Sequence, residues 1–414
     1  MRRIVIPTVI VATALLTTSC NSGLAPEEIY QEQAPGVALI RNEYYYSIKA
    51  GYQEVYFTMG EDGNIEQVSL TPLYLSSNDK PARYGTAFFV DSIGVLVTNR
   101  DVVSAPKIDP QKYTLYKNQI MDALVMQKEE KKRDKAVLQE RIDANVTYEW
   151  NYLWQYYERR ESYENTELRS KQQRLSSSID RIDNCLYEFR NSTYGIQFIE
   201  HNWLRAAFNG SRLTGKESYV SCDTIRNNND LSLIYTIDTE DSVNVPESVY
   251  VFSLAAENVT PSPSPEKQQT LEHNQELYLL GFEGDPKSQI VTAQLDTVKV
   301  SKMLNNAYVQ YGETKEGFNG CPVINSDGEL IAVNCCDANG SYGILLKSIR
   351  AILSDIENVR AEVVKRRKSL KDYMEFDYEI THPNSQDPAV PRQSDDVLQL
   401  QEDLDTIDSI FGEL

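Results

Sequence analysis

Gly317-Phe318-Asn319-Gly320-Cys321-Pro322-Val323-Ile324 is the stretch on which the reading of this chain turns. Two glycines bracket an Asn, and an apolar run from Cys321 to Ile324 follows at once. Ser326-Asp327-Gly328 then has turn chemistry, and Leu330-Ile331-Ala332-Val333 returns as a second apolar run. The segment predicts a tight glycine loop that feeds a β-hairpin.

Upstream, Gly85-Thr86-Ala87-Phe88-Phe89-Val90 and Val95-Leu96-Val97 flank the turn Asp91-Ser92-Ile93-Gly94 and predict another hairpin. It runs on into Thr98-Asn99-Arg100-Asp101-Val102-Val103. A third short strand lies in Asn229-Asp230-Leu231-Ser232-Leu233-Ile234. Strand-like runs also fill 36–75 and most of 196–346. Many short strands at regular turns point to barrels or a sandwich.

In this order and context, the three segments resemble the trypsin-like (chymotrypsin-fold) serine peptidases, above all exported bacterial members. Their patterns are G-x-x-F-F-V with T-N-x-H-V-V, then D-L-A-L-I, then G-x-S-G-G-P-V. The resemblance covers about 84–103 and 196–346. It implies a mainly β chain of two antiparallel barrels with a helical insertion: a first barrel from 35–110 and 191–260, and a second from 266–346.

The chemistry of that family needs a hydroxyl nucleophile, an imidazole base and a carboxylate that orients the imidazole. Here the carboxylate position holds Asp230, the imidazole position Asp101 and the nucleophile position Asn319. A carboxylate cannot relay a proton between two ring nitrogens, and an Asn offers no nucleophile. Losing both groups costs about 10⁶ in rate by analogy with triad deletions. An oxyanion-hole-like pair of N–H groups on Gly317 and Asn319 is expected to survive. The resemblance therefore implies a degenerate member, a pseudopeptidase.

The alternative is a hydrolase with another nucleophile, and Cys321, two places beyond Asn319, is the candidate. Only His201, His273 and His382 are available as imidazoles, and none lies in the base-bearing segment. Cys321 is also a candidate half-cystine with Cys335 or Cys336, which follow it across the hairpin. Asp101 and Asp230 lack a third ligand, so no metal is expected, and no cofactor either.

Between Pro110 and Gly195 the chain has neither Gly nor Pro. Leu168, Leu175, Ile182 and Phe189 recur every seven residues, with Ile179 and Leu186 at the second seam position. A helical hairpin over 111–190 is expected, turning near Asn145 or within 158–164. The aromatic cluster Trp150, Tyr152, Trp154, Tyr156 and Tyr157 reads as packing material. A further helix is expected over 347–374, with Ile349, Ile352, Leu353, Ile356 and Val359 on one side.

At the N-terminus, Arg2 and Arg3 precede the apolar run Ile4 to Leu16, which ends in Thr17-Thr18-Ser19-Cys20. The run is too short to span a bilayer and reads as an export signal over 1–20. A Cys after small residues resembles a bacterial lipobox, although Thr17 stands where that pattern has Leu. Cys20 is thus the expected lipidation site, with 21–34 as a tether. The protein is expected in the bacterial cell envelope, lipid-anchored to a membrane and facing the periplasm or exterior.

Lys and Arg number 41 against 61 Asp and Glu, a formal net charge of −20. That surface is a poor partner for nucleic acid. Residues 375–414 hold much of the acidity, with Arg392 as their lone base, and read as a partly disordered acidic tail. A protein or peptide partner, bound without cleavage, is the expected function.

Overall fold

The computed structural model describes residues 23–60, 62–72, 81–191, 195–214, 218–237, 249–252, 271–286, 289–304, 307–337, 340–352 and 356–381. The export segment with Cys20, the stretch 253–270 and the tail from residue 382 lie outside the described residues.

The chain does not begin as a tether. Residues Pro26–Gln33 form helix α1, started by a proline and by Glu28, whose carboxylate accepts the Ala25 N–H at 3.0 Å. Ile29 is fully buried, the Tyr30 hydroxyl donates to the Ala293 carbonyl, and Gln33 Nε2 donates to the Gly328 carbonyl. Over the described residues 23–34 the expected tether is overturned: Ile29 enters the core shared by both barrels, and Tyr30 and Gln33 bond carbonyls beside the strands of the second.

Strands β1 (Val37–Ala50), β2 (Gln53–Met59), β3 (Ile65–Ser69), β4 (Ala82–Phe89) and β5 (Val95–Asn99) follow, and a single turn of helix, α2 (Arg100–Val103), ends β5. The insertion comprises α3 (Tyr113–Ala144), β6 (Val146–Asn151), β7 (Tyr156–Glu161) and α4 (Glu164–Asn191). Beyond it, β8 (Gln197–Phe208), β9 (Val220–Asn227) and β10 (Leu231–Thr236) complete the first barrel, in the order β1-β4-β5-β10-β9-β8, with β8 paired back onto β1. The described part of the expected strand at 249–254 joins no ladder; Phe252 N–H donates once to the Phe89 carbonyl and its ring packs on Phe88.

Strand β1 is long enough to serve two structures. One edge pairs with β8 from Ala38↔Phe208 to Lys49↔Gln197. The other edge pairs with β4 over Val37–Glu43, then with β2 over Tyr46–Ala50. The β1-β2-β3 extension carries its own core: Tyr46, Ile48, Val55 and Phe57 pack against Tyr116, Ile120, Leu124, Ile182, Leu186 and Phe189 of the two helices. The base of the insertion is therefore part of the barrel's packing.

The rest of the insertion is an arm. The two antiparallel helices form as the absence of Gly and Pro requires. The expected plain helical hairpin is corrected at its far end, where β6 and β7 pair from Val146↔Glu161 to Asn151↔Tyr156. β-Branched and aromatic residues there favour a ribbon over continued helix. The heptad seam is buried at Ile182, Leu186 and Phe189 but only half-buried at Leu168, Leu175 and Ile179. The aromatic cluster at 150–157, expected to be packing material, is exposed.

The second barrel contains β11 (Glu276–Gly281), β12 (Gln294–Leu304), β13 (Tyr308–Tyr311), β14 (Pro322–Ile324), β15 (Leu330–Asp337) and β16 (Gly340–Leu345). Its closed order is β11-β12-β13-β16-β15-β14. Two helices follow where one was expected: α5 (Leu346–Ile352) and α6 (Ile356–Thr381). Ile349, Val359 and Val363 enter a core shared by both barrels. Arg360 pairs with the buried carboxylate of Asp91 at 2.5 Å, and Arg367 donates to the Ile93 and Thr236 carbonyls. These contacts clamp α6 to the first barrel.

Candidate functional site

The three positions singled out by their motifs meet where the barrels touch. At the end of β5, Asn99 Oδ1 accepts the Asp101 N–H at 2.7 Å and so caps α2. Asn99 Nδ2 reaches across to Cys335 Sγ on β15 at 2.8 Å. The next residue, Cys336, donates its N–H to Asn319 Oδ1 at 3.2 Å. Asn319 in turn accepts the Thr86 N–H of β4 on its carbonyl at 2.8 Å. Asp230 lies beside them: its carbonyl accepts the Arg100 N–H at 2.9 Å.

Each position is engaged in a way the motifs did not reveal. The Asp101 carboxylate stands exposed on α2. The Asp230 carboxylate accepts the Tyr308 hydroxyl of β13 at 2.8 Å, a bond that raises the phenol's pKa more than its burial does. Among the described residues, neither histidine joins the site. His201 bonds Ser47 Oγ and stacks on Tyr45, and burial holds its pKa below the usual value against the opposing charge of Glu54. His273 bonds the Ser301 carbonyl.

The oxyanion-hole-like pair at Gly317 and Asn319 is not open. Glu316–Phe318 wind into a turn of 3₁₀ helix, and the Asn319 N–H donates to the Glu316 carbonyl at 3.0 Å. Gly317 is wedged against the opposite loop: a Cβ there would stand 2.1 Å from Gly284 N and 2.4 Å from the Phe282 carbonyl. Its own carbonyl accepts the Thr86 hydroxyl at 2.8 Å, and that hydroxyl also accepts the Phe282 N–H at 3.1 Å. A developing oxyanion would thus find at least one of its two expected donors already committed.

Cys321 is corrected as a nucleophile. It is fully buried in the core of the second barrel, among Leu277, Leu279, Val309, Phe318 and Val323. Burial pushes its thiol well above the usual value, so the nucleophilic thiolate is disfavoured. The expected disulfide among Cys321, Cys335 and Cys336 is also not formed; all three are free thiols. Register explains this. Asn334, not a cysteine, stands opposite Cys321, donating its N–H to the Cys321 carbonyl at 2.8 Å. Cys335 turns toward Asn99, and burial pushes its thiol up to about 12. Cys336 turns the other way, to the Thr314 hydroxyl at 2.8 Å.

Tyr308 and Asn334 are the site residues that sequence reasoning missed. Asn334 is buried and bonded at every polar group: its N–H donates to the Cys321 carbonyl, its Nδ2 to the Phe318 carbonyl and Thr314 Oγ1, its Oδ1 accepts the Tyr311 hydroxyl, and its carbonyl accepts the Gly320 N–H. An Asn closing the apolar run Leu330–Val333 is a legible signal for such a network. Tyr308 has none, since its partner Asp230 lies 78 residues away.

No family model matches the chain, and no curated protein matches it. Among solved structures it is similar to a serine endoprotease from Yersinia pestis, at 9% identity and a TM-score of 0.33. The match covers 80% of this chain and 65% of that one, just under two thirds of the enzyme's length. The fold is an antiparallel double barrel, as the resemblance in the motifs implied. Two closed six-stranded antiparallel barrels, with the motif loops at their junction, define it.

Proposed function

We propose that this chain is an exported, membrane-anchored pseudopeptidase that holds a protein or peptide partner without cutting it. The observation that carries the reading is the Asn319 N–H bound to the Glu316 carbonyl. The nucleophile position has no hydroxyl or thiol, the base position has a carboxylate, and the transition-state donor is already spent. The Asp230 carboxylate, free to orient a base in the family pattern, is held by Tyr308 instead. Membrane anchoring through Cys20, and a location in the cell envelope facing the periplasm or exterior, complete the proposal from the lipobox-like segment.

Purified mature protein incubated with casein and a mixed peptide library is expected to show no cleavage above an Asn319→Ala control. The double variant Asp101→His with Asn319→Ser is expected to stay inactive as well, because the 3₁₀ turn remains. Turnover by the parent chain would overturn the reading; turnover by the double variant alone would show that the turn opens on substrate binding. The anchor is tested apart from this: fatty-acid label should be incorporated into the parent chain in cells, and Cys20→Ser should abolish that label.

A further inference from the structure

The arm ends in chemistry that the cleft does not use. From Trp150 to Tyr157 there is no charged residue, in a chain where 25% of residues are charged. Leu153 sits at the apex of the ribbon, 90% exposed, between Tyr152 and Trp154 at 86% and 74%. Trp150, Tyr156 and Tyr157 form the next level, with Trp150 and Tyr157 in edge contact at 5.0 Å. Charges begin only below that level, and they are paired among themselves: Arg160 with Glu149 and Glu158, and Arg159 with Glu161.

Two N–H groups at the apex are already bonded. Asn151 Oδ1 accepts the N–H groups of both Leu153 and Trp154, at 3.1 and 3.2 Å, and the strands on either side pair with each other through Asn151↔Tyr156. Each N–H group bonded internally lowers the cost of taking the loop out of water. The ordering from apolar apex through a Trp/Tyr belt to ion pairs matches the ordering of a bilayer from acyl chains through the interface to water. The lack of any charge at the tip removes the register-setting contacts that a specific protein interface uses.

Reach fits as well. Among the described residues, the outermost bond from α3 to the barrel is Gln127 Nε2 to the Val68 carbonyl. From there to Ala144 the helix runs about 26 Å, and the ribbon adds roughly 20 Å. The tip therefore stands clear of the barrels.

We propose that the ribbon tip at Trp150–Tyr157 is a membrane-insertion element that docks on a lipid bilayer, independently of any lipid at Cys20. The test uses the full mature chain carrying Cys20→Ser, so that the anchor plays no part. The protein has three tryptophans, so Trp203→Phe leaves only Trp150 and Trp154 to report. With phosphatidylcholine vesicles, emission from this variant is expected to shift to shorter wavelength and to be quenched by brominated acyl chains. The vesicle-bound fraction in flotation should fall about tenfold for each large side chain removed, as in Leu153→Ser and Trp154→Ser, with unchanged circular dichroism. Anionic vesicles should bind more weakly at low salt, since the chain carries −20. Unshifted emission and no flotation at millimolar lipid, from protein shown to be folded, would overturn the proposal. So would a shift that needs no lipid and follows protein concentration, which would mark the tip as a contact between two copies.

Discussion

The cleft between the barrels and the tip of the arm stand at opposite extremes of satisfaction. In the cleft two of the three positions that look chemical in the sequence are bonded to the protein itself, Asn319 through its N–H, carbonyl and side chain, and Asp230 through Tyr308, while the Asp101 carboxylate is exposed. At the tip, large rings and a leucine face solvent, although the Leu153 and Trp154 N–H groups are bonded to Asn151. A group with internal partners gains little from a new one, whereas exposed apolar surface gains roughly 25 cal/mol for each Å² removed from water. The difference teaches that motif-bearing positions here hold the barrels together, and that the surface with free energy left to give lies on the insertion.

The strongest way to break the comparison is Gly320→Ala. Gly320 has φ +87°, and a Cβ there would meet Thr98 Oγ1 at 2.2 Å and the Thr86 carbonyl at 2.3 Å. A loss of about 4 kcal/mol or more is expected in denaturant unfolding; a near-neutral result would mean that the cleft is not structural. Phe189→Ala, beneath the β1-β2-β3 extension, should cost about 3–5 kcal/mol, against about 1 kcal/mol for half-buried Leu175→Ala farther along the same seam. Equal costs would show that arm and base fold as one unit.

Thr86→Val keeps the shape of the cleft but removes the hydroxyl shared by the Gly317 carbonyl and the Phe282 N–H. Leaving those buried groups unpaired should cost about 1–3 kcal/mol. Base titration sharpens the same point. Burial pushes the thiols of Cys222 and Cys335 from 9.0 up to about 12. Above pH 9 only the unfolded chain releases these protons, so stability is full below pH 9 and declines as pH rises toward 12. Cys222→Ala should flatten that slope in pH-dependent unfolding, leaving the part due to buried tyrosines such as Tyr46 and Tyr84, whose hydroxyls burial also pushes up. The smallest effect is expected from replacing 128–181 with a short linker. The cut spares Tyr116, Ile120, Leu124, Ile182, Leu186 and Phe189, so barrel stability should change by about 1 kcal/mol or less.

Much of the double barrel was legible because each motif is local. A glycine loop before an apolar hairpin at 317–333, and hairpin chemistry at 84–98, need only neighbouring residues to be recognised. The long helices were legible for the same reason, from 84 residues without Gly or Pro between Pro110 and Gly195. That Asp101 and Asn319 stand where the family the chain resembles has its base and nucleophile could be read directly. Contacts between distant segments decided the rest. Helix α1 looked like a tether because its partners are distant: Ile29 enters the core shared by both barrels, and Tyr30 and Gln33 bond Ala293 and Gly328. The register that sets Asn334 opposite Cys321 separated three cysteines that sequence proximity had joined. The closing of the 3₁₀ turn on Asn319, the capture of Asp230 by Tyr308 and the exposure of Trp154 are each properties of where surfaces meet. Local composition fixes which elements form, since propensity and periodicity act within a few turns. Only the packed structure decides which polar groups are spent and which apolar ones remain in water, because those outcomes depend on partners far away along the chain.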